Sequence, residues 1–257
     1  MPEMAYRVLV TGFGPYGNTQ INPSLAVVNA LKSNRDGSGY EIAARQVSCE
    51  FNKCIEEASK FIDELEPNAV VMLGEYPGRA MVTVERVAIN YNDSTRYGVC
   101  DEAGYAPQGT KVVEDGPDAY FSTLPLRRIV RDLRSNGIPA DISGDAGTLM
   151  CNHLMYGVLH ACSGRDIVAG WVHLPALPEM ARRGVCEGAF NARRRRGAVD
   201  AIRFPLAQAA KDENLGMPSM TAELSTRAVL RVAASVVDDA KQGGGDIPDA
   251  VKSRLLV

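Results

Sequence analysis

The sequence is poor in the residue types that most often build metal sites, disulfide frameworks and cationic surfaces. It contains three histidines, and its six cysteines include no C-x-x-C pair that would indicate a zinc site. The net charge of -3 predicts no electrostatic surface for nucleic acid. No stretch of eighteen apolar residues occurs, and the start of the chain lacks the apolar core of a signal peptide. These absences predict a soluble cytoplasmic protein that uses no metal or cofactor and binds neither nucleic acid nor membrane.

Short apolar runs alternate with amphipathic segments along most of the chain. Strand-like runs occupy residues 6–11, 41–47, 69–73, 81–90, 140–143 and 167–172, and helix-like segments occupy residues 23–31, 51–65, 125–136, 151–162 and 221–239. This order predicts one α/β domain with an open, twisted, mostly parallel sheet and helices on both faces. Residues 91–118 are predicted to be a long surface excursion, 182–215 an inserted loop with four consecutive arginines, and 241–257 a flexible tail.

The stretch AGTLMCNHLMYGVLH places Cys151 at the start of a helix. From this cysteine onward, apolar residues recur at the three-and-four spacing of a helix with one buried face. Unpaired backbone N–H groups and the positive end of the helix dipole favour a thiolate over a thiol at such a position. The same N–H groups could stabilise an oxyanion that forms next to the sulfur. Cys151 is therefore a candidate nucleophile, and the alternative is a buried structural thiol.

His173 is the best candidate for a base that serves this cysteine. His153 and His160 lie on the helix of Cys151 and, at separations of two and nine residues, cannot easily reach its sulfur. His173 instead ends the apolar run from 167 to 172 and is followed by Pro175. The carboxyl ends of strands in an open α/β sheet face the crevice in which such folds place their sites. The alternative is a core histidine with a satisfied N–H.

The loop after the first strand carries glycines at the spacing of a dinucleotide-binding motif. Gly12, Gly14 and Gly17 satisfy G-x-G-x-x-G, but the next helix is predicted to begin only near Pro23, and no acid ends the second strand. A nucleotide-binding oxidoreductase is therefore the alternative function rather than the favoured one. In the same loop, Phe13 and Tyr16 are candidate walls of a small apolar pocket.

Glu85 interrupts the alternating run from 81 to 90. An acid among apolar neighbours either faces solvent on one side of its strand or has a partner, because burying an unpaired charge is costly. Spacing alone favours the solvated alternative.

Four separated stretches resemble pyroglutamyl peptidase I, the family of cysteine peptidases that remove an N-terminal pyroglutamate. They are VLVTGFGPYGN with INPS, GRAMVTVERVAIN, the segment from AYFSTLPL to GDAGTLMCNHLMY, and GWVHLPALPE with the later MPSM. The resemblance implies a catalytic triad of Glu85, Cys151 and His173, with Glu85 orienting the histidine. It also implies a thioester intermediate and a homo-oligomer, commonly a tetramer.

The resemblance also assigns binding roles outside the triad. Phe13 and Tyr16 match the aromatic loop that lines the pyrrolidone pocket, and Glu75 stands where glutamine is common. A carboxylate can accept the lactam N–H but donates to the lactam carbonyl only when protonated. Arg96, one position later than the usual spacing, is the candidate for an arginine near the oxyanion. These departures leave open a third function, that of a catalytically weak relative that binds modified N-termini.

Overall fold

The computed structural model describes residues 5–16, 20–32, 39–182 and 217–244. The strands are β1 (Tyr6–Phe13), β2 (Tyr40–Val47), β3 (Ala69–Glu75), β4 (Val82–Glu85), β5 (Val87–Ile89), β6 (Asn92–Asp93), β7 (Gln108–Thr110), β8 (Ala119–Phe121), β9 (Ala140–Ser143) and β10 (Val168–Leu174). The helices are α1 (Pro23–Lys32), α2 (Lys53–Leu65), α3 (Leu126–Ser135), α4 (Met150–Ala161), α5 (Pro178–Arg182) and α6 (Ala222–Lys241), with a 3₁₀ turn at Thr95–Tyr97.

Six strands form the central sheet in the order β2-β1-β3-β10-β4-β9. Neighbouring strands are parallel except for β10 and β4, which pair antiparallel. All seven residues of β3 are buried, which explains its continuous apolar sequence, because a strand in the middle of a covered sheet has no solvent face. The predicted α/β class with a mostly parallel sheet is confirmed.

Helices cover both faces of this sheet. Alternate strand residues point to opposite faces, and they fall into two separate apolar clusters. One cluster joins Val71 and Val172 to residues of α1, α3 and α6. The other joins Met72 and Trp171 to residues of α2 and α4. The helix that carries Cys151 therefore packs on the Trp171 face.

The predicted strand from 81 to 90 is two strands in different sheets. β4 lies inside the central sheet, whereas β5 leaves it and pairs antiparallel with β8. The side chain of Asn90 then accepts hydrogen bonds from the backbone N–H groups of Val112 and Val113 and donates to the carbonyl oxygens of Val113 and Gly116. These bonds tie the residue after β5 to the loop at 112–116 and satisfy its backbone polar groups. The segment from 91 to 118 contains only the short β6–β7 pair and the 3₁₀ turn.

Two predicted segments lie mainly outside the described residues. The proposed insertion at 182–215 and the tail at 241–257 therefore stay predictions. Within the described ranges, none of the helices combines the length and the apolar character that crossing a membrane requires.

Candidate active site

Cys151 and His173 lie on the same face of the sheet, at the ends of neighbouring elements. His173 on β10 is the register partner of Gly74 on β3, and register partners on parallel strands point to the same face. A Cβ atom placed on Gly74 would lie 3.0 Å from the Sγ atom of Cys151 and 2.5 Å from the Trp171 ring. The missing side chain of Gly74 thus makes room for the sulfur beside the strand that neighbours His173.

Glu85 contacts His173 directly. The Nδ1 atom of His173 lies 2.6 Å from Oε1 of Glu85, and the side chains are 1% and 0% exposed. The interpretation of Glu85 as a solvated strand residue is therefore wrong, because its side chain is fully buried and has His173 as a partner. Burial raises the pKa of Glu85, but the charge and hydrogen bond of His173, with the neighbouring Ser143 and Arg79, bring the net pKa below its usual value.

The other two histidines are occupied elsewhere. The Nε2 atom of His153 accepts a hydrogen bond of 2.9 Å from the backbone N–H of Asn52, and its Nδ1 atom lies 3.2 Å from Oδ1 of Asn92. Burial lowers the pKa of His153 to about 4, so this ring is neutral. His160 contacts the hydroxyl of Tyr120 at 2.8 Å. Both rings have structural partners, as their separation from Cys151 suggested.

Asn152, the residue after the cysteine, anchors the start of α4 to β5. Its Oδ1 atom accepts from the N–H of Ile89 at 2.8 Å, and its Nδ2 atom donates to the carbonyl oxygens of Ile89 and Tyr91 at 2.9 and 3.0 Å. The side chain is fully buried. Our sequence analysis missed this residue, although a polar amide between apolar helix positions is a signal of a buried polar contact.

The Cys151 thiol differs from the expected thiolate. Burial raises the pKa of Cys151 above its usual value, and the carboxylates of Glu85 and Glu75 raise it further, whereas Arg79 lowers it. The helix start therefore does not by itself produce a thiolate in the resting site. A thiol of raised pKa needs a base that takes its proton as the sulfur reacts.

Aromatic and carboxyl groups pack near the sulfur. The ring of Phe13 packs at 5.7 Å from the ring of Trp171, and the hydroxyl of Tyr16 donates to Oε2 of Glu75 at 3.0 Å. Burial raises the pKa of Glu75 to about 7, which the hydrogen bond from Tyr16 partly offsets. Burial and the nearby Glu75 raise the pKa of Tyr16 well above its usual value, so this hydroxyl remains a donor. Trp171, absent from the sequence prediction, shares the apolar cluster with Phe13, Tyr16 and Cys151.

Arg96 lies in the 3₁₀ turn Thr95–Tyr97. The preceding segment is tied to the loop before Cys151, because the N–H of Asp93 donates to the carbonyl of Thr148 at 3.0 Å. The Thr148 hydroxyl donates back to the carbonyl of Asp93 at 2.9 Å. The backbone of Arg96 therefore belongs to a segment held beside the start of α4.

The first glycine of the G-x-G-x-x-G motif has a packing role. A Cβ on Gly12 would approach Cγ2 of Val28 to 2.9 Å, so this glycine allows α1 to pack closely on β1. The helix begins only at Pro23, too late for a phosphate-binding turn directly after the strand. Gly17 lies outside the described residues. Among those described, no three His, Cys, Asp or Glu side chains are grouped as a metal site.

Comparison with known proteins decides the family. A family model described as pyroglutamyl peptidase matches residues 6–190. The chain belongs to the pyroglutamyl peptidase family. It is 42% identical to a pyrrolidone-carboxylate peptidase of Mycobacterium tuberculosis over 253 residues, which cover 98% of this chain and 99% of that protein.

Solved structures give the same answer. Pyrrolidone carboxyl peptidase from Thermococcus litoralis superimposes with a TM-score of 0.79 at 29% identity, covering 96% of this chain and 100% of that one. Pyroglutamyl peptidase I from Bacillus amyloliquefaciens does so with a TM-score of 0.74 at 29% identity, covering 91% and 97%. The family, the fold class and the cysteine-hydrolase class are confirmed, whereas the oxidoreductase alternative finds no support.

Proposed function

We propose that this chain hydrolyses the amide bond after an N-terminal pyroglutamyl residue, with Cys151 as nucleophile, His173 as acid and base, and Glu85 as the group that orients the imidazole. The contact of 2.6 Å between His173 Nδ1 and Glu85 Oε1, inside a buried site, is the observation that carries this proposal. It is supported by membership of the family and by the sulfur's position beside the strand next to His173.

The Glu85 contact determines which imidazole nitrogen can act as the base. The pKa of Glu85 is below its usual value, so its carboxylate accepts, and Nδ1 of His173 carries the proton that it receives. Nε2 is then the basic nitrogen. It takes the proton from the Cys151 thiol while the sulfur attacks the carbonyl carbon of the pyroglutamyl residue. The raised pKa of Cys151 makes this transfer part of the attack rather than a step that precedes it.

The tetrahedral intermediate places negative charge on the former carbonyl oxygen. The N–H of Cys151, the second residue of α4, has no intrahelical carbonyl partner one turn back and is available to that oxygen. The imidazolium then protonates the departing amine, the carbon–nitrogen bond breaks, and a thioester remains. Water attacks the thioester with His173 as base, which releases pyroglutamate and restores the thiol.

The pocket of Phe13, Tyr16 and Glu75 is proposed to bind the pyrrolidone ring. Phe13 and Trp171 offer apolar surface for the ring carbons. One oxygen of Glu75 already accepts from Tyr16, which leaves the other to meet the lactam. A protonated Glu75 can donate to the lactam carbonyl, and an ionised one can only accept from the lactam N–H. Ring binding is therefore expected to weaken as the pH rises above about 7, the pKa of this carboxyl.

Arg96 is proposed to contribute positive charge near the oxyanion. The support is the pair of hydrogen bonds that holds its segment at Asp93 against Thr148, three residues before Cys151.

The proposal is tested by assaying pyroglutamyl and prolyl arylamides side by side with the wild type and Cys151→Ala. The wild type is expected to cleave only the pyroglutamyl amide, and loss of the nucleophile should lower the rate by at least about a hundredfold. Equal rates for wild type and variant would refute the thiol mechanism. A wild type that binds pyroglutamyl peptides without turnover would instead establish the catalytically weak relative suggested by Glu75 and Arg96.

We also propose a cytoplasmic setting for this chain. Of the cysteines in the described residues, Cys49, Cys54, Cys100, Cys151 and Cys162 are all free. Free thiols suit the reducing cytoplasm, which keeps a nucleophilic cysteine active.

A homo-oligomer, as the family resemblance implies, is tested by light scattering of the purified chain, where a monomer mass would exclude it.

A further inference from the structure

Arg79 makes a network of contacts with Glu85, the carboxylate proposed to orient His173. Its Nη1 atom donates to Oε1 of Glu85 at 2.8 Å and also to the hydroxyl of Thr83, and its Nη2 atom donates to the hydroxyl of Ser143 at 3.3 Å. The Arg79 side chain is 18% exposed and that of Glu85 is 0% exposed. Oε1 of Glu85 is thus shared between Arg79 on one side and His173 on the other.

The backbone before Arg79 is built to bring the guanidinium to this position. Pro77 and Gly78 occupy the centre of a turn closed by a hydrogen bond from the N–H of Arg79 to the carbonyl of Tyr76. Gly78 has φ of 86°, which is the left-handed conformation that the third residue of a type II turn requires. The turn folds the arginine back over the preceding tyrosine.

Tyr76 connects the arginine to the histidine. The guanidinium carbon of Arg79 lies 3.7 Å from the centre of the Tyr76 ring. The same ring packs edge-on against His173, with ring centres 5.2 Å apart and an interplanar angle of 82°. The N–H of Tyr76 donates to the carbonyl of Leu174 at 2.9 Å, which fixes the tyrosine to the strand of the histidine. Arg79 therefore touches His173 through Glu85 and through Tyr76.

We propose that Arg79 is a positioning residue for the catalytic pair: it holds Glu85 as a charged acceptor and limits how tightly that pair retains a proton. The inference rests on the proposed function of Glu85 and His173. A buried carboxylate with no cation beside it would draw a proton onto itself or onto the imidazole, and the base would then be blocked at neutral pH.

The expected change in the titration of the Glu85–His173 pair follows from how closely charged groups contact Glu85. The Nη1 atom of Arg79 and the Nδ1 atom of His173 both contact Oε1 of Glu85, at 2.8 and 2.6 Å. In general, a charge within about 4–6 Å of a titrating group moves its pKa by about one to three units. Other titratable groups near this pair are Glu75, Tyr16, Tyr76, Cys49, Cys151 and Asp141, the last paired with Arg134. Arg79 is the cation that directly contacts Glu85 among the described residues.

The test is the titration of the His173 imidazole protons by NMR, which needs no substrate. The signals are assigned by their loss in His173→Gln. In Arg79→Met, the titration midpoint of the Glu85–His173 pair is expected to move to higher pH by about one unit or more. Arg79→Lys keeps the charge, so its titration midpoint should stay within about a few tenths of a pH unit of the wild-type midpoint. A folded Arg79→Met with an unchanged midpoint would overturn the proposal.

Arg128→Met is the matched control. Its Nε atom pairs with Asp239 at 2.9 Å with the arginine side chain 21% exposed, much like Arg79, but on α3 and α6 away from the site. This control should leave the titration and the kinetics unchanged. If Arg79→Met fails to fold, the double variant Arg79→Met/Glu85→Gln lacks both charges and should regain the fold. Failure of the double variant as well would show a merely structural arginine and refute the proposal.

Kinetics separate this inference from the proposed function. In Arg79→Met, the midpoint of the acidic limb of the kcat/KM profile should move to higher pH by the same amount as the imidazole titration. Arg79→Lys should lower kcat with little change in KM. No cleavage of pyroglutamyl amides by the wild type would refute the proposed function but leave the titration result standing. Normal cleavage with unchanged profiles in both variants would refute the role of Arg79 alone.

Discussion

Glu75→Gln gives a prediction that can be worked through from the structure. Glu75 is buried at the end of β3, and burial raises its pKa from the ordinary value of 4.5 to about 7. The folded protein therefore binds this proton more tightly than the unfolded chain does. The contribution of Glu75 to stability is favourable at acidic pH and is lost as the pH rises from about 4.5 through about 7. Glutamine has nearly the same shape and no proton to lose.

The size of the effect follows from those two pKa values. Between about pH 5 and about pH 7.5, the wild type should lose about 2 kcal/mol of unfolding free energy that Glu75→Gln keeps. The hydrogen bond from Tyr16 remains possible in the variant, because an amide oxygen accepts as a carboxylate oxygen does. The difference between the two proteins should therefore come mainly from the proton.

Urea unfolding of both proteins at the two pH values measures this difference. Glu64→Gln, which removes a carboxylate 55% exposed on α2, is the control for the change in net charge and should follow the wild type. A wild type and a Glu75→Gln variant whose stabilities change in parallel with pH would refute the argument. In the peptidase assay, KM of the wild type should rise above about pH 7, and KM of Glu75→Gln should not.

Two further substitutions test the geometry of the site. Gly74→Ala puts a methyl group 2.5 Å from the Trp171 ring and 3.0 Å from the Cys151 sulfur, so stability should fall by about 1–3 kcal/mol and kcat/KM by at least about tenfold. Wild-type kinetics in this variant would show that the sulfur is not held beside β3. Asn152→Ala removes the acceptor of the Ile89 N–H and one of the two donors to the Ile89 carbonyl, and it should cost about 1–3 kcal/mol, measured by urea unfolding. A loss of unfolding free energy below about a few tenths of a kcal/mol would mean that the stability of the protein does not depend on this amide.

Local sequence patterns predicted most of the elements, because each is encoded by neighbours along the chain. The strand at Ala140–Ser143 and the helix beginning at Pro23 match their predicted positions closely. The periodicity after Cys151 predicted a helix, and Met150–Ala161 confirms it. The position of His173 at a strand end was equally visible, since an apolar run followed by a proline marks where a strand stops.

The environment of Glu85 was decided by strand order, which local pattern does not carry. An acid in an alternating run is expected to face solvent. Here β4 pairs with β10 on one edge and with β9 on the other, and this pairing brings His173 of β10 next to Glu85. Only the resemblance to known peptidases suggested its partner. Asn152 escaped notice because its partner Ile89 is distant in the chain. Arg79 lies close to Glu85 in sequence, but only the turn at Pro77 and Gly78 and the path of β4 bring its guanidinium to the carboxylate. Cys151 and His173 could thus be proposed as nucleophile and base from their own segments. The residues that contact them depend on how the strands and helices assemble, which local sequence does not encode.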